Sequence, residues 1–295
     1  MRAGQAPEGR RYHLGVVEPG ALEIRTMDRA DLDIALDWAA AEGWNPGLGD
    51  AHAFHATDAG GFLMGRVDGE PATAISVVRY GAAFAFLGLY LCRPDLRGRG
   101  YGLATWTAGM ATVPGRTVGL DGVVARQGDY GRSGFVLAHR NVRYTGTARP
   151  AGSTDPHLVE RADADALAGY DAAHFGVPRS DFVQAWAAPP RRTVAWVEDG
   201  TVRGYGTIRA CRSGHKIGPL FADSEPIADA LLGSLTSRVA GEGISLDVPE
   251  PNGAAVDLAT RAGLEPSFET ARMFRGPAPA LPLGSIYGIT TLELG

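Results

Sequence analysis

Residues 97–102 read RGRGYG, which brings two arginines and three glycines together directly before a helical pattern. The first residues of a helix leave backbone N–H groups unpaired and carry the positive end of the helix dipole. Glycines let the backbone turn tightly and approach a ligand, and guanidinium groups bind phosphate oxygens. The sequence therefore predicts an anion site, suited to phosphate, at the start of this helix.

Two common phosphate-binding loops fit this stretch poorly. A P-loop requires Gly-Lys followed by Ser or Thr, and residues 97–105 contain no lysine. A dinucleotide fingerprint requires a third glycine or alanine where this chain has Thr105. It must also follow its strand directly, whereas five residues intervene here. Asp121 stands about twenty residues further on, in the place of a ribose-binding carboxylate, so the dinucleotide interpretation remains an alternative.

A third interpretation of the loop depends on a family resemblance. Residues 97–102 resemble the R/Q-x-x-G-x-G/A motif of the GCN5-related N-acetyltransferases, the GNAT superfamily. Residues 130–135, YGRSGF, resemble the Y-x-x-x-G-F segment that follows the fifth strand in that family. The order of elements over residues 22–146 is also similar. The resemblance implies transfer of the acetyl group of acetyl-CoA to a primary amine by direct attack in a ternary complex.

The resemblance also implies roles for individual residues of the first half. The loop amides and Arg97 would bind the pyrophosphate, and the pantetheine arm would pair with the backbone of residues 89–91. Tyr130 would donate a proton to the coenzyme thiolate, since a phenol titrates near pH 10; simple packing is the alternative role for it. The residues assigned to the coenzyme are Leu89, Tyr90, Leu91, Arg97, Gly98, Arg99, Gly100, Tyr101 and Gly102.

The general base is less well defined by the sequence. Many family members carry a carboxylate on the fourth strand, and the corresponding stretch here, FAFLGLYL, has none. Asp121, at the end of the next predicted strand, is the candidate, either directly or through water. Capping of the following loop is the alternative role. Asp247 occupies the matching place in the second half, which has no glycine loop, and this favours the alternative.

The candidate acceptor residues lie mainly in residues 42–58, between a predicted helix and a predicted hairpin. Trp44, Asn45 and Asp50 combine an aromatic wall with polar groups, as small-ligand pockets do. A rigid Asn-Pro turn explains Asn45 equally well. Arg209, from the second half, is predicted to reach the same site if that half closes over it, and a purely scaffolding second half is the alternative.

The chain repeats one pattern of elements. Asp68-Gly69 and Asp199-Gly200 each stand between two β-like runs, which is a strong hairpin signal. We therefore predict an α/β fold of two tandem GNAT-like domains, each a mixed sheet flanked by helices, with chance similarity as the alternative. The predicted organisation is a tail at 1–20, a coenzyme-binding domain at 21–146, a linker at 147–156 and a degenerate domain at 157–295.

The helix after the loop is predicted to bury one apolar side against the sheet. Leu103, Trp106, Thr107 and Met110 are spaced i, i+3, i+4 and i+7.

Composition limits the remaining classes of function. Of 295 residues, 45% are apolar and 21% charged, as in ordinary soluble proteins, and the net charge of −5 argues against a nucleic-acid surface. No apolar run has the length of a membrane span. The two cysteines and the histidines match no metal spacing, so we expect no metal and a cytoplasmic protein.

We therefore expect a cytoplasmic monomer or homodimer that uses acetyl-CoA as co-substrate and acetylates a small-molecule amine. A protein or peptide N-acetyltransferase and a non-catalytic acyl-CoA-binding sensor are the alternatives. The identity of the amine is not indicated by any residue.

Overall fold

A computed structural model describes residues 22–150, 155–160 and 162–295. The predicted tail at 1–20 lies outside the described residues, as does the part of the predicted linker at 151–154. The described residues form one mixed sheet of thirteen strands with helices on both faces. The predicted α/β class with a mixed sheet is confirmed.

The two halves present their elements in the same order. The elements of the first half are β1 (Leu22–Thr26), α1 (Arg29–Ala41), α2 (Asp50–Thr57), β2 (Phe62–Val67), β3 (Glu70–Tyr80), β4 (Phe84–Cys92), α3 (Tyr101–Ala111), β5 (Thr117–Val123), α4 (Gln127–Arg132) and β6 (Val136–Thr147). Those of the second half are β7 (Leu158–Val159), α5 (Ala164–Phe175), α6 (Ser180–Ala187), β8 (Arg192–Glu198), β9 (Thr201–Ala210), β10 (His215–Ala222), α7 (Glu225–Thr236), β11 (Gly243–Pro249), α8 (Gly253–Arg261), β12 (Glu265–Arg275) and β13 (Ile286–Gly288).

The halves exchange their long last strands. The sheet order is β1-β2-β3-β4-β5-β12-β6-β11-β10-β9-β8-β7, with β13 paired to β10 off this path. Strand β12 of the second half pairs antiparallel with both β5 and β6, and β6 of the first half pairs antiparallel with both β12 and β11. Each exchanged strand thereby has both edges hydrogen-bonded. The predicted boundary at residue 146 falls at the end of β6, a strand that completes the sheet of the other half.

Both predicted hairpin turns are present. Asp68 and Gly69 have φ values of 52° and 81°, and Asp199 and Gly200 have 49° and 73°. Two left-handed residues in succession give the turn whose twist matches that of the flanking strands. The two hairpins, β2–β3 and β8–β9, therefore occupy equivalent places in the two halves.

One hydrophobic core joins the halves on the face that carries α1, α2, α5 and α6. It packs first-half residues such as Phe54 and Phe86 with second-half residues such as Phe182 and Trp186. The opposite face is divided into two cores, one under α3 and one under α7 and α8. The helices of the two halves therefore pack against each other on this face, for example through the stacked rings of Phe54 and Trp186.

The predicted apolar side of α3 is partly wrong. Trp106 and Met110 are buried as expected, but Leu103 is 69% exposed and Thr107 is also exposed. The helix instead presents small residues to β3: Thr105 Oγ1 lies 2.6 Å from Thr73 Oγ1, and a Cβ at Gly109 would lie only 3.1 Å from the side chains of Ile75 and Val77. This close approach turns Leu103 towards solvent.

Candidate functional site

A cleft opens between β4 and β5. The two strands pair in parallel only from Phe84–Thr117 to Leu87–Leu120, and beyond Leu87 no described strand pairs with β4 on that side. Strand β4 also contains a bulge where it pairs with β3. The three steps from Gly88 to Leu91 on β4 lie opposite the two steps from Ser76 to Ala74 on β3. Leu89, at this bulge, has a left-handed φ of 44°. The backbone of residues 89–91 therefore borders a gap that an extended ligand could enter.

The glycine loop closes one end of this cleft. Gly98 and Gly100 have φ values of 81° and 84°, and Gly100 is the N-cap of α3. A Cβ at either position would meet no atom within 4 Å, so glycine is needed there for its backbone conformation. At Gly102, by contrast, a Cβ would lie 3.0 Å from Tyr90 Oη. The loop thus leaves the start of α3 accessible to a phosphate group.

Arg97 is held at the mouth of the cleft. Its Nε donates to the Cys92 carbonyl oxygen at 3.0 Å, and its Nη2 forms an ion pair with Glu42 at the end of α1. The Arg97 side chain is about half exposed, so an incoming pyrophosphate could replace Glu42 as its partner. Arg99 is exposed on the same loop. Both arginines therefore lie where the family resemblance expects coenzyme phosphates.

Tyr130 lies on the same face of the sheet as α3, packed in an aromatic cluster. Its ring centroid is 5.8 Å from that of Trp106, whose ring also contacts Tyr90. A Cβ at Gly122 would lie 2.7 Å from Tyr130 Cδ2, so the ring covers bare backbone of β5. Burial, reinforced by Tyr90, raises the pKa of Tyr130 to about 12. The hydroxyl is therefore protonated at neutral pH and can donate a proton.

Asp121 is engaged inside the protein. Both carboxylate oxygens accept from Arg272 of β12, at 2.8 and 2.6 Å, and Asn141 Nδ2 donates to one of them at 2.8 Å. The Asp121 side chain is fully buried. Burial raises the pKa of Asp121 although Arg272 and Asn141 act to lower it, and a catalytic role for this carboxylate stays a prediction.

The second half contains the equivalent pair. Asp247 on β11 accepts from Arg143 of β6 at 2.6 and 2.9 Å. In each half, therefore, an aspartate on the fifth strand (β5 or β11) forms an ion pair with an arginine on the strand that the other half contributes (β12 or β6). Because the pair also occurs in the half without a glycine loop, strand exchange explains Asp121 without a catalytic role.

The residues predicted to bind the acceptor meet at the junction of the halves. Asp50, at the start of α2, is fully buried and lies 3.1 Å from Arg209 Nε and 3.2 Å from Arg191 Nη2. Burial acts to raise the pKa of Asp50, but the two guanidinium groups outweigh it and hold this pKa below its usual range. Both arginines stack on Trp186. Asp50 and Arg209 are thus brought together in a buried ion cluster, and their contact with an acceptor stays a prediction.

Trp44 and Asn45 join the same junction mainly through hydrogen bonds. The Asn45 side chain donates to the Ser213 carbonyl oxygen at 2.8 Å and accepts from the Ser213 N–H at 2.9 Å. The Trp44 carbonyl oxygen accepts from Lys216 Nζ at 2.8 Å and from Arg143 Nη1 at 3.1 Å. Both side-chain hydrogen bonds of Asn45 join it to Ser213 of the second half, and contact with a ligand stays a prediction for Trp44 and Asn45.

The corresponding cleft of the second half is filled by the chain itself. Strand β10 pairs in parallel with β11 only as far as Ile217–Leu246, and beyond that point β13 pairs with it at Leu220 and Phe221. A Cβ at Gly288 of β13 would collide with Leu246, which shows how tightly this strand is inserted. The second half therefore has neither the glycine loop nor an open cleft.

After β13 the chain crosses to the first half. A Cβ at Gly218 of β10 would lie 2.5 Å from the Thr290 oxygen, and one at Gly88 of β4 would lie 2.9 Å from Glu293 Cα. These two glycines occupy equivalent places, directly after the last parallel pair of each half. Residues 289–295, Lys216 and Arg191 were not predicted to be parts of this junction, because no local sequence pattern shows which distant segments meet.

Among the described residues, no group of three or more His, Cys, Asp or Glu side chains could hold a metal ion. Nor does any helix in the described part of the chain have the length and apolar character needed to cross a membrane.

Comparison with known proteins gives consistent matches. A family model for the acetyltransferase (GNAT) domain matches residues 167–288, in the half without the glycine loop. A holothin acyltransferase from Pseudoalteromonas sp. (strain SANK 73390) is 32% identical over 267 residues, covering 89% of this chain and 90% of the relative. The family-model match confirms the predicted kinship of the second half.

Solved structures share the fold. A Pyrococcus horikoshii protein assigned as an acetyltransferase has a TM-score of 0.81 at 22% identity, covering 96% of this chain and 99% of that one. A tandem GNAT protein from the clavulanic acid biosynthesis pathway has a TM-score of 0.59 at 14% identity, covering 88% and 100%. The fold and its tandem arrangement are therefore those predicted.

Proposed function

Because the chain belongs to the GCN5-related N-acetyltransferase superfamily, we propose that it is an acyl-CoA-dependent N-acyltransferase whose reaction takes place in the first half. The observation that carries the proposal is the open cleft beside residues 89–91, with the glycine loop at its end. The loop amides and Arg97 would hold the pyrophosphate, and the β4 backbone would hold the pantetheine arm. The 32% identical relative is itself an acyltransferase, which supports this activity.

We propose direct attack of a neutral amine on the thioester carbonyl within a ternary complex. The C–N bond forms as the C–S bond breaks, and the departing thiolate takes the hydroxyl proton of Tyr130. Tyr130 suits this step because its hydroxyl is protonated at neutral pH and because its ring lies against Gly122 of β5, one of the two strands that border the cleft.

A small primary amine is the proposed acceptor, and acetyl-CoA the proposed donor. The face of β4 opposite Tyr130 is covered by α1, by Phe175 of α5 and by residues 289–295, which favours a small acceptor over a polypeptide. The relative acts on holothin, which also favours a small acceptor. The backbone of Glu293 fills the space beside Gly88, which favours an acyl group as short as acetyl.

The proposal is tested with a panel of amines and acetyl-CoA, following release of free thiol. Wild-type protein should release thiol only when a suitable amine is present. A variant combining Arg97→Ala with Gly100→Glu should lose this activity, because it removes a cation and places a carboxylate in the phosphate loop. Amine-dependent thiol release that is unchanged in the variant would refute the assignment of the loop.

A further inference from the structure

The fourth strand of the first half has no carboxylate, and the chain supplies one from elsewhere. At Gly88, one residue before the bulge, a side chain would collide with the carbonyl oxygen of Glu293. The Glu293 Cα would lie only 2.9 Å from such a Cβ. Residues 289–295 therefore bring a glutamate to the edge of the cleft, directly beside the backbone expected to hold the thioester.

The Glu293 carboxylate is buried but only partly bonded. Glu293 is 3% exposed, and one of its carboxylate oxygens accepts a hydrogen bond from the Thr291 hydroxyl. The other oxygen, Oε1, has no hydrogen-bond partner among the described residues. A buried carboxylate oxygen without a donor is costly, and functional sites are where such atoms are retained. An N–H from a bound amine would satisfy Oε1.

The surroundings of Glu293 keep a negative charge acceptable there. Its charge acts on Arg143, Arg209 and Lys216, whose side chains converge from three strands. Burial and Arg143 lower the pKa of Lys216, while Glu293 and Asp247 act in the opposite direction. The ionisable groups of this cluster are Arg143 on β6, Arg209 on β9, Cys211, Lys216 on β10, Asp247 on β11 and Asp50 on α2.

We propose that Glu293 is the general base of the reaction and that Oε1 receives the proton of the attacking amine. This assignment rests on the proposed N-acyltransferase function. As the amine nitrogen bonds to the thioester carbon, its N–H proton passes to the Glu293 carboxylate. The C–S bond breaks, and the thiolate takes the proton of Tyr130. Both residues then exchange protons with solvent, so that the net products are an amide and free coenzyme A.

The assignment explains two features of the chain together. Glycine at position 88 leaves room for the backbone of Glu293, so the carboxylate missing from β4 is supplied by another segment. It also explains why the second half is retained although its own cleft is filled. β13 anchors the segment, and the Ile289 N–H donates to the Asp247 carbonyl oxygen at 2.9 Å before the chain crosses over.

The test compares Glu293→Gln with wild type in the full chain, using acetyl-CoA and the best amine of the panel. Glutamine keeps the shape but cannot accept the proton, so kcat should fall about 100-fold or more. The loss should appear in kcat and leave the KM for acetyl-CoA nearly unchanged. Affinity for acetyl-CoA, measured by calorimetry, should stay within about threefold, because Glu293 is not proposed to bind the coenzyme. Glu265→Gln, an exposed residue at the far end of β12, is the matched control.

An unchanged kcat in Glu293→Gln would overturn the proposal while wild-type turnover still upheld the proposed function. Should Glu293→Gln fail to fold, Glu293→Asp decides the question. The variant with the shorter carboxylate should fold and have a kcat about tenfold lower, and a wild-type kcat in that variant would overturn the assignment. Absence of amine-dependent thiol release in wild type would instead contradict the proposed function itself.

Discussion

At the scale of single residues, Tyr130 is placed by a glycine. Its ring lies against Gly122 of β5, where any side chain would displace it, and stacks on Trp106 from the other side. A tyrosine held between a strand and a helix has little freedom to rotate. Its hydroxyl is thus fixed relative to the cleft between β4 and β5, as a proton donor to a departing thiolate must be.

We expect Tyr130→Phe to lower kcat by about 100-fold or more, because it removes the donor and keeps the packing. Affinity for acetyl-CoA should change little. Because the pKa of Tyr130 is raised to about 12, its ionisation should cause no loss of wild-type kcat up to about pH 10. Steady-state kinetics across pH measure both effects. Normal turnover by Tyr130→Phe would exclude a role in proton transfer. If wild type shows no turnover and Tyr130→Phe binds acetyl-CoA as wild type does, the sensor alternative would be favoured.

How far a residue's role could be predicted depended on where its partners lie. Tyr130 and the loop glycines belong to local motifs, so their places were predictable from neighbouring residues. Asp121 was predicted as a base, but its partner Arg272 lies 151 residues away on an exchanged strand. Asn45 likewise bonds to Ser213, 168 residues away. Nothing local to Asp121 or Asn45 indicates these partners.

At the scale of elements, the exchange of β6 and β12 is secured by two buried ion pairs. Asp121–Arg272 ties β5 to β12, and Asp247–Arg143 ties β11 to β6. Each arginine also lies over an aromatic ring, Phe86 and Phe268 respectively. Each ion pair therefore joins an exchanged strand to a strand of the other half.

Arg272→Met should lower the free energy of unfolding by about 3–5 kcal/mol, because it leaves Asp121 buried without its counter-charge. Asp121→Leu combined with Arg272→Met should be less destabilised than the single arginine variant, since no unpaired charge remains. Chemical denaturation of the single and double variants as a cycle measures the coupling. If the losses of unfolding free energy in the two single variants simply add up in the double variant, the two residues are not coupled, which would contradict a structural pairing.

The elements themselves were largely predictable, and their partners were not. Asp-Gly turns and alternating residues located both hairpins, because those signals are local. The face of α3 was mispredicted at Leu103, since the close approach of Gly109 to β3 decides which side is buried. The strand exchange joins residues more than a hundred positions apart, and hydrophobic periodicity carries no information about such pairing.

At the scale of the whole molecule, two related halves share one sheet but differ in their clefts. The first cleft is open beside β4, and the second contains β13. Residues 289–295 then connect the filled cleft to the open one. The second half therefore contributes to the first, since it supplies strand β12 and the segment that lies against Gly88 of β4.

A fragment of residues 1–150 should not fold into an active enzyme, because β5 and β6 lose the strand that lies between them. Co-expression with a separate fragment of residues 151–295 should restore a complex that binds acetyl-CoA. Co-purification, circular dichroism and the thiol assay measure the two outcomes. Full activity of a soluble 1–150 fragment would show that the second half is dispensable.

The central claim is that one cleft per chain holds acyl-CoA, and calorimetric titration with acetyl-CoA tests it most directly. The account predicts one site per chain. Binding should be abolished by Arg97→Ala with Gly100→Glu and unaffected by Arg238→Ala, which removes an exposed arginine of the second half. Two sites per chain, or micromolar affinity retained by the loop variant, would contradict it.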